Sequence, residues 1–262
     1  MIEHKKYKLL EQGLKAITDG TINLLVERGL PGFGKSFMTK QFMDNNKVNY
    51  KYINTYSTPL AFYKLLYENR NRQVLVIDDV HVEDKKIIAI LKGACNNLMK
   101  DRIVQWNSTS DILEKYHLPE EFELEANLIL ILNDDLPGFK PILNRSAFIT
   151  FDFTFKEKLQ IFKDVQEDAG IDVSVTDYVA VNCDNSTENL SIRTLVILSN
   201  LKTSGAVWQD FANEMLFQDP NISLLKELVA KSHDIKSACK EWCEETGHHR
   251  ATFFRKKKLL DR

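Results

Sequence analysis

Residues 23–36 read Asn-Leu-Leu-Val-Glu-Arg-Gly-Leu-Pro-Gly-Phe-Gly-Lys-Ser, and this stretch decides the fold. The apolar run at 24–26 predicts a short β-strand. Residues 29–36 then match G-x-x-x-x-G-K-[ST], the pattern of a phosphate-binding loop. Residues 37–43 have the polarity pattern of an amphipathic helix. A strand, a glycine-rich loop and a helix in this order predict a site for the phosphates of a nucleotide.

Each residue type in this loop has a chemical reason. Glycine lets backbone N–H groups turn inward around phosphate oxygens, where a Cβ would obstruct them. Lys35 offers a positive charge to the β- and γ-phosphates, and the Ser36 hydroxyl is a ligand for Mg²⁺, so we predict ATP and Mg²⁺ as cofactors. The alternative is a chance glycine-rich turn between a strand and a helix. The predicted nucleotide-binding residues are Gly29, Pro31, Gly32, Phe33, Gly34, Lys35, Ser36 and Phe37.

A pair of acids follows a second apolar run, at residues 73–80, which read Gln-Val-Leu-Val-Ile-Asp-Asp-Val. Four consecutive apolar residues ending in acids predict a buried parallel strand that delivers carboxylates to the site. Asp78 is expected to hold Mg²⁺ together with Ser36, and Asp79 to orient the attacking water. The alternative is a strand that ends in two solvated acids.

Further predicted strands alternate with helices and then stop. We predict strands at 48–54, 127–133 and 147–153. Alternating strands and helices favour an α/β fold with a parallel sheet covered on both faces. The polar segment 107–125 is predicted to be a hairpin or a pore-facing insertion, and only helices are predicted beyond residue 155. The predicted domains are an α/β core at 1–153, a helical lid at 154–218 and a small C-terminal helical domain at 219–262.

Composition excludes some classes of protein. The chain has 262 residues, 44% of them hydrophobic and 27% charged, which suits one α/β domain with smaller additions. No apolar run of about 18 residues exists, so we expect no membrane partner. The four cysteines show no disulfide framework, which favours the reducing cytoplasm as the location.

The charge is unevenly distributed. Residues 231–262 contain nine Lys or Arg and five Asp or Glu, a net charge of +4. Because the whole chain has a net charge of −2, the other 230 residues sum to −6. A basic tail on an acidic body predicts that the tail meets a polyanion.

Five motifs together resemble those of the AAA+ ATPases in order and spacing. They are the loop at 29–36, V-L-V-I-D-D at 74–79, L-I-L-I-L-N at 128–133, P-I-L-N-R-S at 141–146 and L-S-I-R-T-L at 190–195. The resemblance covers roughly residues 20–215. It implies a P-loop ATPase core with an all-α lid, assembled as a homo-oligomeric ring or filament with nucleotide between subunits.

The same resemblance implies roles for single residues. Asn133 would be the sensor 1 residue near the γ-phosphate, and Arg193 the sensor 2 residue that links the lid to the nucleotide. Arg145 would be the finger that reaches a neighbouring subunit's γ-phosphate, where positive charge stabilises the transition state. Many AAA+ proteins have Glu where this chain has Asp79, which is one methylene shorter. Hydrolysis is predicted, and an ATP switch that barely hydrolyses is the alternative. Asn133 could otherwise simply end a strand, and the two arginines could be surface charges.

The basic tail has the pattern of a helix-turn-helix. Residues 234–245 predict a helix, Thr246-Gly247 interrupt it, and 248–260 predict a second, basic helix. The stretch R-A-T-F-F-R-K-K-K-L-L at 250–260 resembles the recognition helix of helix-turn-helix modules at the C-termini of many bacterial regulators. The alternative is a basic solvated helix. Residues expected to reach base edges are His248, His249, Arg250 and Thr252, and those expected to contact phosphates are Arg255, Lys256, Lys257 and Lys258.

These features predict an ATPase that binds DNA and couples ATP turnover to remodelling of DNA or of a replication complex. Replication initiation or helicase loading, for a phage or mobile element, is the predicted setting, with a helicase or another replication protein as partner. The alternatives are a transcriptional regulator and the non-hydrolysing switch. The Gly-Ala-Phe-Thr-Gly-Ala loop of activators of the alternative sigma factor is absent from the sequence, which disfavours the regulator.

Overall fold

A computed structural model describes residues 2–54, 57–78, 85–95, 102–107, 111–133, 139–216, 220–232 and 234–260. The chain forms two compact units. The core unit is His4–Asp152, and the helical unit is Phe153–Arg262 together with Met1–Glu3. The boundaries predicted at 153/154 and 218/219 remain predictions, and the second of them falls at residues outside the described ranges.

The core unit contains seven described strands and six described helices. The strands are β1 (Leu24–Gly29), β2 (Tyr50–Asn54), β3 (Val74–Asp78), β4 (Ile103–Gln105), β5 (Glu121–Glu123), β6 (Asn127–Leu132) and β7 (Ala147–Phe151). The helices are α1 (Lys5–Thr18), α2 (Lys35–Asn45), α3 (Pro59–Glu68), α4 (Lys85–Ala94), α5 (Ile112–Lys115) and α6 (Lys140–Leu143).

Five of these strands form a parallel sheet in the order β2-β3-β6-β1-β7. The predicted parallel α/β fold is therefore confirmed. β1 pairs with β6 and β7, and β6 pairs with β3 and β1, so the two strands are central. This position explains the apolar runs at 24–26 of β1 and 128–132 of β6, because a strand buried on both faces has no solvent side.

Both faces of the sheet are covered by helices. One face packs its Leu, Val and Ile side chains against α3, α4 and α6 in a single hydrophobic cluster. On the other face α1 buries Tyr7, Leu10, Leu14 and Ile17, and α2 buries Lys35, Thr39 and Met43. A lysine and a threonine among the buried residues of α2 are unusual, because polar side chains are costly to bury without partners.

The segment after α4 forms a separate two-stranded sheet. β4 and β5 pair in antiparallel register, as the strands of a hairpin do, with Val104 opposite Phe122. Phe122 packs edge-on against Tyr63 of α3, with ring centroids 5.1 Å apart. This aromatic contact attaches the small sheet to α3. A pore-facing role for this segment remains a prediction.

The described part of the helical unit contains seven helices. They are α7 (Phe155–Val165), α8 (Val173–Asn182), α9 (Ile192–Thr203), α10 (Trp208–Met215), α11 (Pro220–Lys231), α12 (Ile235–Thr246) and α13 (Arg250–Leu260). Local signals start several of them. Thr154 and Glu157 form a capping box at α7, and the Asp234 carboxylate accepts from the backbone N–H groups of Lys236 and Ser237 at α12.

The last three helices pack around one small core. Its fully buried members are Leu225 of α11, Ala238 and Trp242 of α12, and Phe253 of α13. The Trp242 Nε1–H donates to the Asn221 carbonyl at 2.6 Å, so the indole is satisfied inside the core. Gly247 ends α12 with a φ of 70°, a left-handed conformation that glycine adopts without strain.

Among the described residues, no helix is both long and apolar enough to cross a membrane.

Candidate functional site

The loop at 29–36 joins β1 to α2 and depends on two glycine conformations. Gly29 has a φ of 113°, and a Cβ there would lie 2.4 Å from the Phe151 carbonyl oxygen of the neighbouring strand β7. Only glycine fits so close to another backbone. Gly34 has a φ of 79°, and a Cβ there would meet nothing within 4 Å. The loop is thus folded tightly against β7 at its start and faces open space at its end.

Two further contacts fix the loop to the sheet. The Leu30 N–H donates to the Phe151 carbonyl at 2.9 Å. The hydroxyl of the buried Tyr7 donates to the Phe33 carbonyl at 2.8 Å, and the Phe33 ring is itself buried. The loop pattern predicts that Phe33 binds nucleotide, but its side chain packs inside the unit, so only its backbone is placed to face phosphate. Phe37 is two-thirds exposed.

The Lys35 ammonium is buried and turns back across the loop. It donates to the carbonyl oxygens of Gly29 and Leu30, both at 2.8 Å, and to Asn133 Oδ1 at 3.3 Å. Asn133 follows β6 directly, so the structure brings these two predicted site residues together. Backbone carbonyls are weaker partners for an ammonium than charged oxygens are. Phosphate oxygens are therefore expected to compete well for Lys35.

Asp78 ends β3 and is buried beside Tyr52 of β2, a residue that no sequence motif singles out. The Tyr52 hydroxyl donates to Asp78 Oδ2, and the nearby Ser36 hydroxyl acts to lower the pKa of Tyr52. Burial and then the contact with Asp78 raise the pKa of Tyr52, so this hydroxyl stays protonated at physiological pH. The pattern of β2 predicts a strand, but which side chain of that strand meets Asp78 depends on the pairing of β2 with β3.

Glu27 is a second site residue that sequence reasoning misses. Its carboxyl group lies in the middle of the central strand β1, completely buried. Thr39 of α2 donates to Glu27 Oε1 at 2.7 Å, and Oε2 has no hydrogen-bond partner in the described part of the chain. Burial raises the pKa of Glu27 to about 8, against the lowering influence of Thr39 and Lys35. No local sequence signal marks it, because Glu27 follows the apolar run at 24–26 and is followed by Arg28.

The residues of this site suit a nucleotide with magnesium. The open space beside Gly34 leaves room for an anion at the N-terminus of α2, and Lys35 supplies the countercharge. Ser36 and Asp78 offer a hydroxyl and a carboxylate, and oxygen ligands of this kind suit Mg²⁺. Ser36 and Asp78 would hold the ion, while the loop and Lys35 would hold the phosphates.

Of the three other predicted catalytic residues, the structure describes two. Arg145 lies just after α6, exposed, and donates to the Pro141 carbonyl at 2.9 Å. Arg193 is exposed in the first turn of α9, in the helical unit. Asp79 lies outside the described residues. The roles of all three remain predictions.

The predicted DNA-binding residues are arranged differently from the sequence expectation in one respect. α13 begins at Arg250, so His248 and His249 lie in the turn and not on the helix. The reason is the left-handed Gly247, after which the His249 carbonyl accepts from the Thr252 N–H at 2.8 Å and starts the new helix. The His248 ring stacks on Trp242, with centroids 5.7 Å apart.

The remaining predicted DNA-binding residues lie along α13. Arg250 and Arg255 are exposed, and Thr252, Lys256 and Lys257 are partly buried. The Arg250 guanidinium lies 5.4 Å from the centre of the Phe254 ring, one turn later on the helix. This helix therefore carries an exposed arginine–aromatic pair beside its basic residues.

The buried Glu27 should make the stability of the protein depend on pH. Its folded-state pKa of about 8 lies above the ordinary value of 4.5, so its contribution to the free energy of unfolding is fully present below pH 4.5 and is lost as pH rises towards 8. Glu27→Gln keeps an acceptor for Thr39 and does not titrate. We expect the wild type to lose about 1.4 kcal/mol per pH unit relative to this variant across that window, measured by urea unfolding. Glu11→Gln, at an exposed position, is the control. The burial argument would be contradicted if the free energies of unfolding of wild type and Glu27→Gln differed by the same amount at pH 5 and at pH 8.

Comparison with known proteins identifies the fold. No protein-family model matches the sequence, and no curated protein sequence matches it. Among solved structures, the Thermotoga maritima RuvB Holliday junction branch migration motor matches with a TM-score of 0.53 at 14% identity, covering 95% of this chain and 83% of RuvB. A single-substitution variant of the same RuvB gives a TM-score of 0.56 at 14% identity, with the same two coverages. The chain therefore has the fold of the AAA+ P-loop ATPases.

Proposed function

We propose that this protein binds ATP with Mg²⁺ at the loop 29–36 and hydrolyses it. One observation carries the proposal. Lys35 of the loop donates to Asn133 after β6, while Tyr52, near Ser36 of the same loop, donates to Asp78 at the end of β3. Groups from separate strands thus converge on the edge where the loop faces open space.

Each group has a role in this proposal. Lys35 neutralises charge on the β- and γ-phosphates, and Asn133 orients the γ-phosphate and the attacking water. Bound Mg²⁺, held by Ser36 and Asp78, supplies charge neutralisation at the same phosphates. Asp79 orients the water, and Arg145 of one subunit approaches the nucleotide of the next, so the active form is a homo-oligomer. Arg193 links the helical unit to the nucleotide.

DNA is the proposed partner of α12 and α13. The α11–α13 core holds α13 by Phe253, and the remaining surface of that helix is strongly basic. A basic helix that follows a short turn can enter the major groove, with its first residues at base edges and its later ones at phosphates. RuvB, whose fold this chain shares, is a motor for Holliday junctions, which are DNA. We propose that ATP turnover drives remodelling of DNA or of a replication complex.

Replacing Lys35 tests the nucleotide site. Lys35→Ala removes the ammonium that faces the phosphates, and we expect ATP affinity to fall about 100-fold because charge-assisted hydrogen bonds are removed. Isothermal titration with a slowly hydrolysed ATP analogue measures it. Lys51→Ala removes an exposed lysine of β2 and is the matched control. Equal affinity of Lys35→Ala and wild type would refute the proposed function.

Replacing Arg145 tests whether subunits share a site. Arg145→Ala should keep ATP affinity and lower turnover by about 10³-fold, the effect of removing an arginine finger. Mixing Arg145→Ala with Lys35→Ala should restore turnover, because one variant keeps the nucleotide site and the other keeps the arginine. Arg72→Ala, an exposed arginine beside Asn49, is the control. If the wild-type protein binds ATP and assembles into oligomers but does not hydrolyse ATP, the result would instead support the ATP switch.

Charge removal on α13 tests the DNA proposal. Arg250→Ala with Arg255→Ala should weaken DNA binding and reduce the slope of log affinity against log salt by about one for each phosphate that the variant no longer neutralises. Fluorescence anisotropy with labelled duplex DNA at several salt concentrations measures both. Lys5→Ala with Lys8→Ala removes the same charge from the exposed face of α1. If the two double variants weaken DNA binding equally, α13 is not the DNA-binding element.

A further inference from the structure

Tyr52 contacts Asp78, one of the two groups that would hold magnesium. Tyr52 lies opposite Val76, and Asp78 is two residues further along β3, so both side chains lie on the same face of the sheet. The Tyr52 hydroxyl donates to Asp78, and Ser36 lies near the same hydroxyl. One hydroxyl therefore connects β2 to the end of β3.

The ring of Tyr52 is also held in place. The Lys40 ammonium lies 4.5 Å from the ring centre. Lys40 is four residues after Ser36 on α2, so the two residues share a face of that helix. A cation above the ring and a hydrogen bond at its hydroxyl leave the side chain little freedom to move.

A carboxylate has about four lone-pair sites on its two oxygens, so it can accept a hydrogen bond and bind a cation at the same time. In this structure Asp78 Oδ2 accepts from the Tyr52 hydroxyl. A hydrogen bond at one oxygen restrains the direction in which the carboxylate points. This contact therefore suits a magnesium ligand at Asp78 and fixes its orientation.

We propose that Tyr52 is a positioning residue of the magnesium site, which orients the Asp78 carboxylate for the ion. The inference rests on the proposed function, because it concerns the metal of the proposed ATP site. Tyr52 does not touch the ion or the phosphates. It acts through Asp78, and it belongs to a strand that carries no recognisable motif.

Tyr52→Phe tests this role with little change in shape, since the ring beneath Lys40 remains. The probe is a fluorescent ATP analogue titrated at a series of Mg²⁺ concentrations. We expect the Mg²⁺ concentration for the half-maximal gain in affinity to rise about tenfold, while affinity in EDTA is unchanged. Mn²⁺ in place of Mg²⁺ gives a second readout, and its electron paramagnetic resonance signal should show a smaller bound fraction in the variant with ADP.

Tyr50→Phe is the matched control, because Tyr50 lies on the same strand and donates to Asp44 at 2.7 Å. An unchanged Mg²⁺ midpoint in Tyr52→Phe overturns the inference. A lower midpoint also overturns it, since Tyr52 would then compete with the ion. Failure of the proposed function looks different: wild-type protein would bind the analogue neither with Mg²⁺ nor in EDTA.

Discussion

The parallel hydrogen-bonded pairing of β3, β6 and β1 holds the whole site together. Its register places Asp78 opposite Ile131, and Ile131 opposite Glu27. Paired residues of a parallel sheet point to the same face, and parallel strands end at the same edge. The loop after β1, the acid that ends β3 and the asparagine after β6 therefore emerge together. A slip of one residue in any of these pairings would turn Glu27 or Asp78 to the opposite face.

α2 covers that face of the sheet, and ionisable side chains are buried beneath it. Lys35, Asp78 and Glu27 are all buried, and a buried ionisable group needs a partner or must become neutral. The Lys35 ammonium donates to carbonyls of its own loop, and the Asp78 carboxylate accepts from the Tyr52 hydroxyl. Glu27 accepts from Thr39, and its raised pKa favours the neutral acid. In the proposed function, phosphate oxygens are stronger partners for Lys35 than the loop carbonyls are. Part of the free energy of nucleotide binding therefore comes from this exchange of partners at the buried ammonium.

The helical unit uses a different device, a small apolar core that orients a basic helix. Phe253 enters the core beside Trp242, while its neighbour Phe254 stays outside beneath Arg250. The Lys226 ammonium on α11 pairs with the Asp184 carboxylate in the segment before α9. α11 is therefore attached to the segment that leads into the helix carrying Arg193. If both proposals hold, this connection lies between the DNA-contacting helices and the residue proposed to sense nucleotide.

Local patterns of glycine, apolar residues and charge were enough to predict the phosphate loop, the buried strands and the basic C-terminal helix. The loop at 29–36 could be recognised because its pattern requires specific residues at fixed spacing. The contact of Tyr52 with Asp78, and the burial of Glu27 beside Thr39, could not be predicted in this way. Both arrangements arise in the folded chain, because they depend on which strands pair and which helix covers them. A tyrosine in an alternating strand, or an acid next to an arginine, carries no local mark of that environment.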